Sequence, residues 1–479
     1  MFKTFTVRVV EQCKVSPPPN TTPPTSLIPL TFFDLPWLFF SPSQPLFFYH
    51  LPYSNSHFKT ITIPALKHSL SLTLQHYYPF AGTLFLPSSS DEEEPAESNN
   101  KPHLVFTSHD SSVSLTIAIS NGGDFEHLCN NHPRDANDFH LLVPKLVGPN
   151  LACIRGNKEV PLLAIQVTTF PNVGICIGLA FHHVVADGRT FSNFFKTWAS
   201  YCSLLGTTSS PLFPLESLPF YDRSVIVDAK GHEEVFLKEW RRTLIAMQRE
   251  NKVDLSNTTM VRATFLMGPT EMEQVKGLII GCCNEKNKAM PVRVSAYVLT
   301  CALLWVCLVK TQPSMNQNMG DEDPIYFGFI AGGITRLDFE VPISYLGNCV
   351  GFGRASLRRR DLVGEEGVIV AAKAIGSTIK KLDESILGEA EKWVLEWRVL
   401  HGSEQHVHAT WSPKLKLYEC DFGWGKPKKI EEISIDSTRA VSLLQSRDVE
   451  GGIEIGLALP KNQMEAFTIL FNQTLNSLP

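Results

Sequence analysis

The stretch 173–190 constrains the fold of this chain more than any other part of the sequence. Val173–Phe181 is apolar and partly β-branched, which predicts a strand buried on both faces of a sheet. The strand stops at His183, and Gly188 permits the turn by which the chain leaves the sheet. Helical spacing then predicts a helix at 191–204. Such a strand end is where α/β enzymes place reactive groups, so we expect an α/β fold with its site here.

The composition is that of an ordinary globular protein. At 479 residues the chain suits two domains, and 43% apolar with 19% charged residues argues against disorder. A formal net charge of -5 offers no basic surface for phosphates, so nucleic acid is not an expected partner. Eleven cysteines without a CxxC pair are typical of reduced thiols, and we expect no metal site.

Two regions bear on targeting. The first residues carry no apolar segment of the signal-peptide type, so secretion is not expected. The apolar stretch 27–52 has the length of a membrane span, but Asp34 and several prolines interrupt it. We therefore expect a cytoplasmic protein without membrane contact.

A change of composition after residue 205 predicts a domain boundary. Residues 206–219 are rich in Ser, Thr and Pro, which is typical of a linker. We predict an N-terminal domain at 1–205, a crossover linker at 206–230 and a C-terminal domain at 231–479. A segment near 401–430 is expected to pack back on the first domain.

Hydrophobic periodicity places the remaining elements. It predicts strands at 5–15, 104–106, 113–117, 162–170, 261–266, 326–331 and 451–459. It predicts helices at 63–78, 271–280, 365–387 and 464–475, with a very apolar, buried helix at 295–309. The strand 162–170 is expected to pair with 173–181 through a short turn.

His183 is the candidate catalytic residue. It is the only one of the 15 histidines followed by aspartate four positions later, and it stands at the predicted strand end. An imidazole titrates near neutrality and can take a proton from a hydroxyl during attack on an electrophile. No GxSxG motif or nucleophilic cysteine accompanies it, which favours direct attack by an acceptor over a covalent intermediate.

The neighbours of His183 have simpler interpretations. His182 is expected to be a packed or hydrogen-bonded neighbour. Asp187 is either the partner of the imidazole or a structural anchor for an arginine, and we favour the anchor because the turn at Gly188 should direct its side chain away. Arg189 either faces an anionic substrate group or lies on the surface, and we rank the surface first.

A second conspicuous stretch is Asp421–Pro427, with the sequence DFGWGKP. Gly423 and Gly425 flank Trp424, which predicts a tight backbone path with an aromatic plug. Asp421 has two possible roles, catalysis or holding this loop in place, and the glycine-rich setting favours the second. A third stretch, Tyr345–Cys349, joins a turn to a glycine-rich strand.

Together these motifs resemble those of the plant BAHD acyltransferases. His183–Gly188 (HVVADG) and the DFGWGKP stretch occur in the family's order, in a chain of the family's size. The resemblance extends over nearly the whole sequence. The aromatic segment at 30–40 is expected to pack in the core. This segment and Tyr345–Cys349 are similar to the branch that acylates anthocyanins and phenolic glycosides, although Leu346 stands where that branch usually has phenylalanine.

The resemblance implies a fold and a mechanism. The fold would be similar to chloramphenicol acetyltransferase, with two α/β domains and a solvent channel between them. Acyl-CoA, a co-substrate and not a permanently bound cofactor, would meet the acceptor at His183. This histidine would be the general base toward the acceptor hydroxyl, whose oxygen attacks the thioester, and nearby donors would stabilise the oxyanion.

The resemblance also implies roles for other residues. Asp187 would be salt-bridged to an arginine, for which Arg293 is a candidate, and Asp421 would shape the channel. Ser295 corresponds to a family position that touches CoA, although Ala296 replaces a second hydroxyl there. Lys276 is a further candidate CoA contact, because CoA phosphates suit lysine as a point charge.

Three functional hypotheses follow. The first is a malonyl-CoA-dependent O-acyltransferase, monomeric, acting on a sugar hydroxyl of an anthocyanin, flavonoid or other phenolic glucoside, with a hydroxycinnamoyl-CoA donor as the alternative. The second is a family member without catalysis that binds a small molecule. The third, an unrelated α/β hydrolase, is disfavoured because the sequence offers no nucleophile.

Overall fold

The structure is a computed structural model and describes residues 5–87, 101–149, 159–205, 218–249, 259–286, 289–312, 320–400, 403 and 405–477. Residues 206–217 of the predicted linker lie outside this part. The described chain folds into two large β-sheets and a smaller one, with helices packed against them.

The first sheet comes mainly from the N-terminal half. In spatial order its strands are β1 (Thr6–Val15), β6 (Val113–Asn121), β9 (Leu163–Phe170), β10 (Gly174–Phe181), β3 (Pro45–His50) and β15 (Lys429–Glu432). β9 and β10 are antiparallel neighbours joined by a turn in which Asn172 has a φ of 63°. Every residue of β10 is buried. The predicted pairing and the doubly buried strand are therefore confirmed.

The second sheet comes mainly from the C-terminal half. Its strands, in spatial order, are β13 (Val350–Arg358), β12 (Pro324–Gly332), β14 (His406–Thr410), β16 (Ala440–Gln445), β17 (Ile453–Pro460), β11 (Met260–Met267) and β7 (Arg134–Asp135). The two sheets exchange strands, because β15 pairs with β3 of the first sheet and β7 pairs with β11 of the second.

The third sheet is small and lies within the N-terminal half. Its strands, in spatial order, are β2 (Thr25–Pro29), β5 (His103–Thr107), β4 (Thr83–Phe85) and β8 (Glu159–Pro161).

The longer helices are α1 (Ile63–Leu74), α2 (Gly188–Leu204), α3 (His232–Arg249), α4 (Pro269–Glu285), α5 (Ala296–Lys310), α6 (Gly367–Glu384) and α7 (Lys461–Asn476). In α5 every residue from Val298 to Val309 is buried, which confirms the predicted buried helix. α2 begins at Gly188, three residues earlier than predicted, because the Asp187 side chain caps its N-terminus.

Buried charge lies where the sheets exchange strands. Arg134 of β7 and Arg262 of β11 both pair with Glu431 of β15, at 2.8 and 3.0 Å. Arg262 also pairs with Asp436. All these side chains are nearly inaccessible to solvent, so each charge depends on its partners.

The part of the chain that the structure describes contains neither a helix suited to a membrane nor a cluster of metal ligands. No helix there is both long and apolar enough to span a lipid bilayer. No cluster of three or more His, Cys, Asp or Glu in those same ranges is arranged to hold a metal ion.

Candidate active site

His183 lies between the end of β10 and the start of α2, as the sequence predicted. Its ring is stacked on the indole of Trp37, with centroids 3.4 Å apart and planes 13° apart. Trp37 belongs to the aromatic segment near the N-terminus and is itself buried. The stack fixes the plane of the imidazole and leaves its orientation within that plane to hydrogen bonds.

Asn348 supplies those hydrogen bonds. Its Oδ1 lies 3.0 Å from His183 Nδ1, and its Nδ2 donates to the His183 carbonyl (2.8 Å) and to Asp34 Oδ1 (2.9 Å). Since both amide hydrogens are used, Oδ1 must accept from Nδ1–H. This network assigns the proton of the neutral ring to Nδ1 and leaves the lone pair on Nε2.

The surroundings keep this imidazole uncharged. Burial lowers the pKa of His183 to about 4, although the Asp187 carboxylate and the bond to Asn348 partly oppose the shift. A neutral ring with a free Nε2 can accept a proton at neutral pH. Burial lowers the pKa of His182 to about 3, and that ring packs inside the fold, as expected for a neighbour without a catalytic part.

Asp187 anchors the turn after His183. Its Oδ1 accepts from the N–H of Thr190 at 2.8 Å, and its Oδ2 accepts from the N–H of Cys349 at 3.2 Å. The carboxylate thus joins the start of α2 to the segment that carries Asn348. This geometry favours the structural interpretation of Asp187.

Two expectations about arginines are wrong. Arg293 pairs with Asp383 at 2.7 Å and not with Asp187. The guanidinium near Asp187 is that of Arg189, with Nη2 3.7 Å from Oδ2. Arg189 is not a free surface cation either, because its Nη1 and Nη2 donate to the carbonyls of Ile343 (2.6 Å) and Tyr345 (2.8 Å). A capping turn brings residues 187 and 189 together, which spacing alone did not reveal.

Gly188 also differs from its predicted role. Its backbone does not adopt a positive φ, so the turn itself does not require glycine. A Cβ at this position would lie 3.0 Å from the side chain of Leu415. Glycine is therefore favoured by the close approach of the 410–415 segment and not by backbone conformation.

A cavity of about 330 Å³ opens between the two large sheets at His183. It is lined by Ser43, Phe181, His183, Asp187, Gly188, Arg189, Ile330, Gly332–Arg336, Ile343, Cys349, Val350, Thr410–Ser412, Lys414 and Leu415. His183, Asp187 and Gly188 are thus brought together, as predicted. The other predicted site residues do not line this cavity.

The Asp421 segment is a folded loop beside the first sheet. Asp421 Oδ1 accepts from the backbone N–H groups of Gly423 (2.7 Å), Trp424 (2.9 Å) and Gly425 (2.8 Å). The two glycines have φ values of 93° and 89°, which other residues rarely adopt. Tyr49 of β3 packs edge-on against Trp424. These contacts favour a structural role for Asp421.

The two candidate CoA contacts lie on the helices α4 and α5. Ser295 caps the N-terminus of α5, with its Oγ 3.4 Å from the N–H of Val298. Lys276 of α4 pairs with Glu273 at 3.0 Å on an exposed helix face. A CoA contact at either residue stays a prediction.

Sequence reasoning missed Asn348 and Trp37. Asn348 lies in the conspicuous stretch Tyr345–Cys349. It is 165 residues from His183 in the sequence, and no periodicity connects the two positions. Trp37 was interpreted as core packing, which is correct for most of the aromatic segment. An aromatic residue gives no sequence signal that separates a core position from one against a catalytic ring.

A neutral histidine with a free nitrogen, at a cavity between the two large sheets, can accept a proton from a hydroxyl group. The chain matches the family model described as Transferase family over residues 6–474. It therefore belongs to this family, the BAHD acyltransferases.

Its relatives match almost end to end. It is 37% identical to malonyl-coenzyme A:anthocyanin 3-O-glucoside-6''-O-malonyltransferase of Dahlia pinnata, covering 98% of this chain and 97% of the relative. It is 36% identical to coumaroyl-CoA:anthocyanidin 3-O-glucoside-6''-O-coumaroyltransferase 1 of Arabidopsis thaliana, covering 97% of each. It is 35% identical to phenolic glucoside malonyltransferase 1 of Nicotiana tabacum, covering 98% of this chain and 99% of the relative.

Solved structures confirm the predicted fold. The crystal structure of vinorine synthase is similar with a TM-score of 0.66, covers 98% of both chains and is 19% identical in sequence. TRI101 of F. graminearum, complexed with ethyl coenzyme A, is similar with a TM-score of 0.62, covers 92% of this chain and 96% of its own, and is 13% identical.

Proposed function

We propose that this enzyme transfers the malonyl group of malonyl-CoA to a sugar hydroxyl of an anthocyanin, flavonoid or other phenolic glucoside. The free Nε2 of His183 at the inter-sheet cavity carries the proposal, because it is a base placed where two substrates can meet. The names of the Dahlia and tobacco relatives support the donor and the acceptor class.

In the proposed reaction, Nε2 of His183 takes the proton of the acceptor hydroxyl as its oxygen attacks the thioester carbonyl carbon. The carbonyl π electrons move to oxygen and form a tetrahedral oxyanion. When the oxyanion collapses, the carbon–sulfur bond breaks and the CoA thiolate leaves. The thiolate takes from Nε2 the proton that came from the acceptor hydroxyl, so the products are the ester and free CoA, and the histidine is restored.

Trp37 offers a donor for the oxyanion. Its Nε1–H is buried, and no acceptor among the described residues bonds to it. A buried, unpaired N–H is costly to keep, so such a group is often reserved for a bound partner. The indole that carries this N–H is stacked on the His183 ring.

The charges of the cavity support an anionic acyl group. Arg189 and Arg336 both line it, but Arg189 bonds to main-chain carbonyls, and Arg336 bonds to Asp383 at 2.8 Å. Lys414 lines the cavity too, and within the described part of the chain no carboxylate pairs with it. An unpaired ammonium group is suited to the distal carboxylate of a malonyl group.

The alternative donor is a hydroxycinnamoyl-CoA. It is supported by the apolar residues Ile330, Ile334 and Val350 in the cavity wall and by the coumaroyltransferase among the relatives. A monomer in the cytoplasm, with Ser295 and Lys276 in contact with CoA, completes the proposal for this enzyme.

The test is release of free thiol from malonyl-CoA and from p-coumaroyl-CoA, each with and without anthocyanin and simple phenolic glucosides. Acceptor-dependent release from malonyl-CoA, with a product heavier by one malonyl group, supports the proposal. Release from the coumaroyl donor alone moves the enzyme to the alternative. Thiol release that needs no acceptor indicates a hydrolase, and binding of CoA without turnover indicates a family member without catalysis.

A further inference from the structure

Asp34 lies directly behind the pair formed by Asn348 and His183, and it is fully buried. Its Oδ1 accepts from the backbone N–H (3.1 Å) and from Nδ2 (2.9 Å) of Asn348. Its Oδ2 accepts from the N–H and Oγ1–H of Thr31, both at 2.8 Å, and from Nη1 of Arg223 at 3.1 Å. Every contact of this carboxylate is therefore with a donor.

The Asp34 carboxylate, which only accepts, and the His183 carbonyl together dictate how Asn348 is oriented. An amide side chain can present either its oxygen or its nitrogen to a partner, and nothing in Asn348 itself selects one. The Oδ1 of Asp34 requires the amide nitrogen on its own side. The amide oxygen must then face Nδ1 of His183, and the ring must carry its proton there.

Arg223 holds the buried charge of Asp34 in place. Its guanidinium is buried, donates to the hydroxyl of Tyr345 at 2.8 Å and lies over that ring at 5.3 Å from the centroid. Gly347 has a φ of 141°, and a Cβ there would overlap the guanidinium, so the 345–349 loop is shaped around it. The other side of the loop is fixed by Thr190, whose Oγ1 donates to the Gly347 carbonyl at 3.0 Å.

We propose that Asp34 and Arg223 are positioning residues that set the tautomer of the catalytic histidine through Asn348. Neither residue touches the cavity, and neither touches the imidazole. The ion pair holds the amide, and the amide holds the proton on Nδ1, so that Nε2 remains free for the acceptor. This proposal rests on the role of His183 as general base in the proposed function.

The first experiment compares Asp34→Ala, Asn348→Ala and the double variant in the thiol-release assay. We expect kcat to fall about 100-fold in each single variant, the lower end of what a positioned general base contributes, with KM values for both substrates unchanged. Because Asp34 acts through Asn348, the double variant should lose no more than Asn348→Ala alone. Unchanged kcat in Asp34→Ala, or losses that multiply, would overturn the proposal.

Asp436→Ala is the matched control. Asp436 also pairs with a buried arginine, Arg262, and its side chain is only 7% exposed, but it does not line the cavity. This variant should lose stability while its folded fraction keeps the parental kcat. An equal loss of kcat in Asp436→Ala would show that any broken buried pair has this effect, which would also overturn the proposal.

A second experiment needs neither substrate nor a folded Asp34 variant. With ¹⁵N-labelled histidine, the ring resonances of His183 are identified by their absence in His183→Gln, and long-range proton–nitrogen correlations report which nitrogen carries the proton. We expect the proton on Nδ1. A proton on Nε2 in the parental protein contradicts this proposal. The thiol-release assay tests malonyl transfer independently of the tautomer, so the two proposals can fail separately.

Discussion

The indole of Trp37 lies face to face with the imidazole of His183, with ring centroids 3.4 Å apart. In Trp37→Phe the stacked ring is kept and only the unpaired N–H is removed. We expect kcat to fall about 100-fold, as when one oxyanion donor is removed elsewhere, with substrate KM values little changed. The measurement is steady-state thiol release.

Trp305→Phe is the control for this variant. The Nε1 of Trp305 is buried and also lacks a partner in the described residues, but this residue lies on α5, in the hydrophobic core beside the second sheet. It should leave kcat unchanged. Wild-type kcat in Trp37→Phe would exclude the indole as the oxyanion donor.

Replacing the base itself should stop the reaction. His183→Ala and His183→Gln remove the group that is proposed to take the hydroxyl proton, and we expect a loss of about 100- to 10,000-fold in kcat. The thermal unfolding midpoint and CoA binding should change little. Rates near those of the parental enzyme in either variant would refute the general-base role.

The pH dependence should reflect a base that is neutral over the physiological range. Because burial lowers the pKa of His183 to about 4, the protonated, inactive form appears only in acid. We expect kcat/KM to be flat from about pH 5.5 to neutrality, whereas an ordinary imidazole would give a rise centred near pH 6.5. An ascending limb at that higher pH would mean that the ring is solvated in the working enzyme.

Lys414 is expected to select the acyl group. In Lys414→Gln the KM for malonyl-CoA should rise about tenfold, the effect of losing one hydrogen bond to a charged group, while the KM for p-coumaroyl-CoA stays the same. Lys416→Gln is the control, because Lys416 pairs with Glu419 at 3.5 Å and does not line the cavity. An equal rise for both donors would indicate a contact with CoA instead.

The buried charges between the sheets should make the free energy of unfolding depend on pH. Burial alone would raise the pKa of Glu431, but Arg134 and Arg262 outweigh it and hold the pKa at about 2. The unfolded carboxyl titrates near 4.3, so its contribution is complete above that pH and is lost as the pH falls toward about 2.

Glu431→Gln leaves two buried guanidiniums short of an anion and should cost about 3–5 kcal/mol at pH 7. Urea unfolding measures this difference, which should shrink as the pH falls from about 4 to 2. A difference that does not change with pH would contradict this account.

Local sequence patterns predicted the strand, the turn and the helix around His183 well. β10, the turn and α2 could be read from 173–204 because burial and periodicity are properties of adjacent residues. The predicted start of α2 is three residues late. The helix begins directly after its cap, Asp187, and not at its first apolar position.

The contacts that set the orientation and the protonation of the His183 ring could not be predicted from local sequence patterns. Asn348, Trp37 and Asp34 reach His183 only through the packing of one sheet against the other. The arginine beside Asp187 was sought far along the chain at Arg293, yet Arg189 stands two residues away. Which charged residues meet depends on tertiary geometry, and the spacing of charges in the sequence does not reveal that geometry.

The exchange of strands between the sheets has a consequence for synthesis on the ribosome. β3, with every residue but His50 buried, pairs on one side with β10 and on the other with β15. Until residue 432 has been made, the β15 side of β3 is an open, apolar edge of the kind that recruits strands from other chains. The nascent chain must therefore shield that edge for most of its translation, and a chain truncated before β15 should aggregate even though it already contains His183 and the strands on either side of β10.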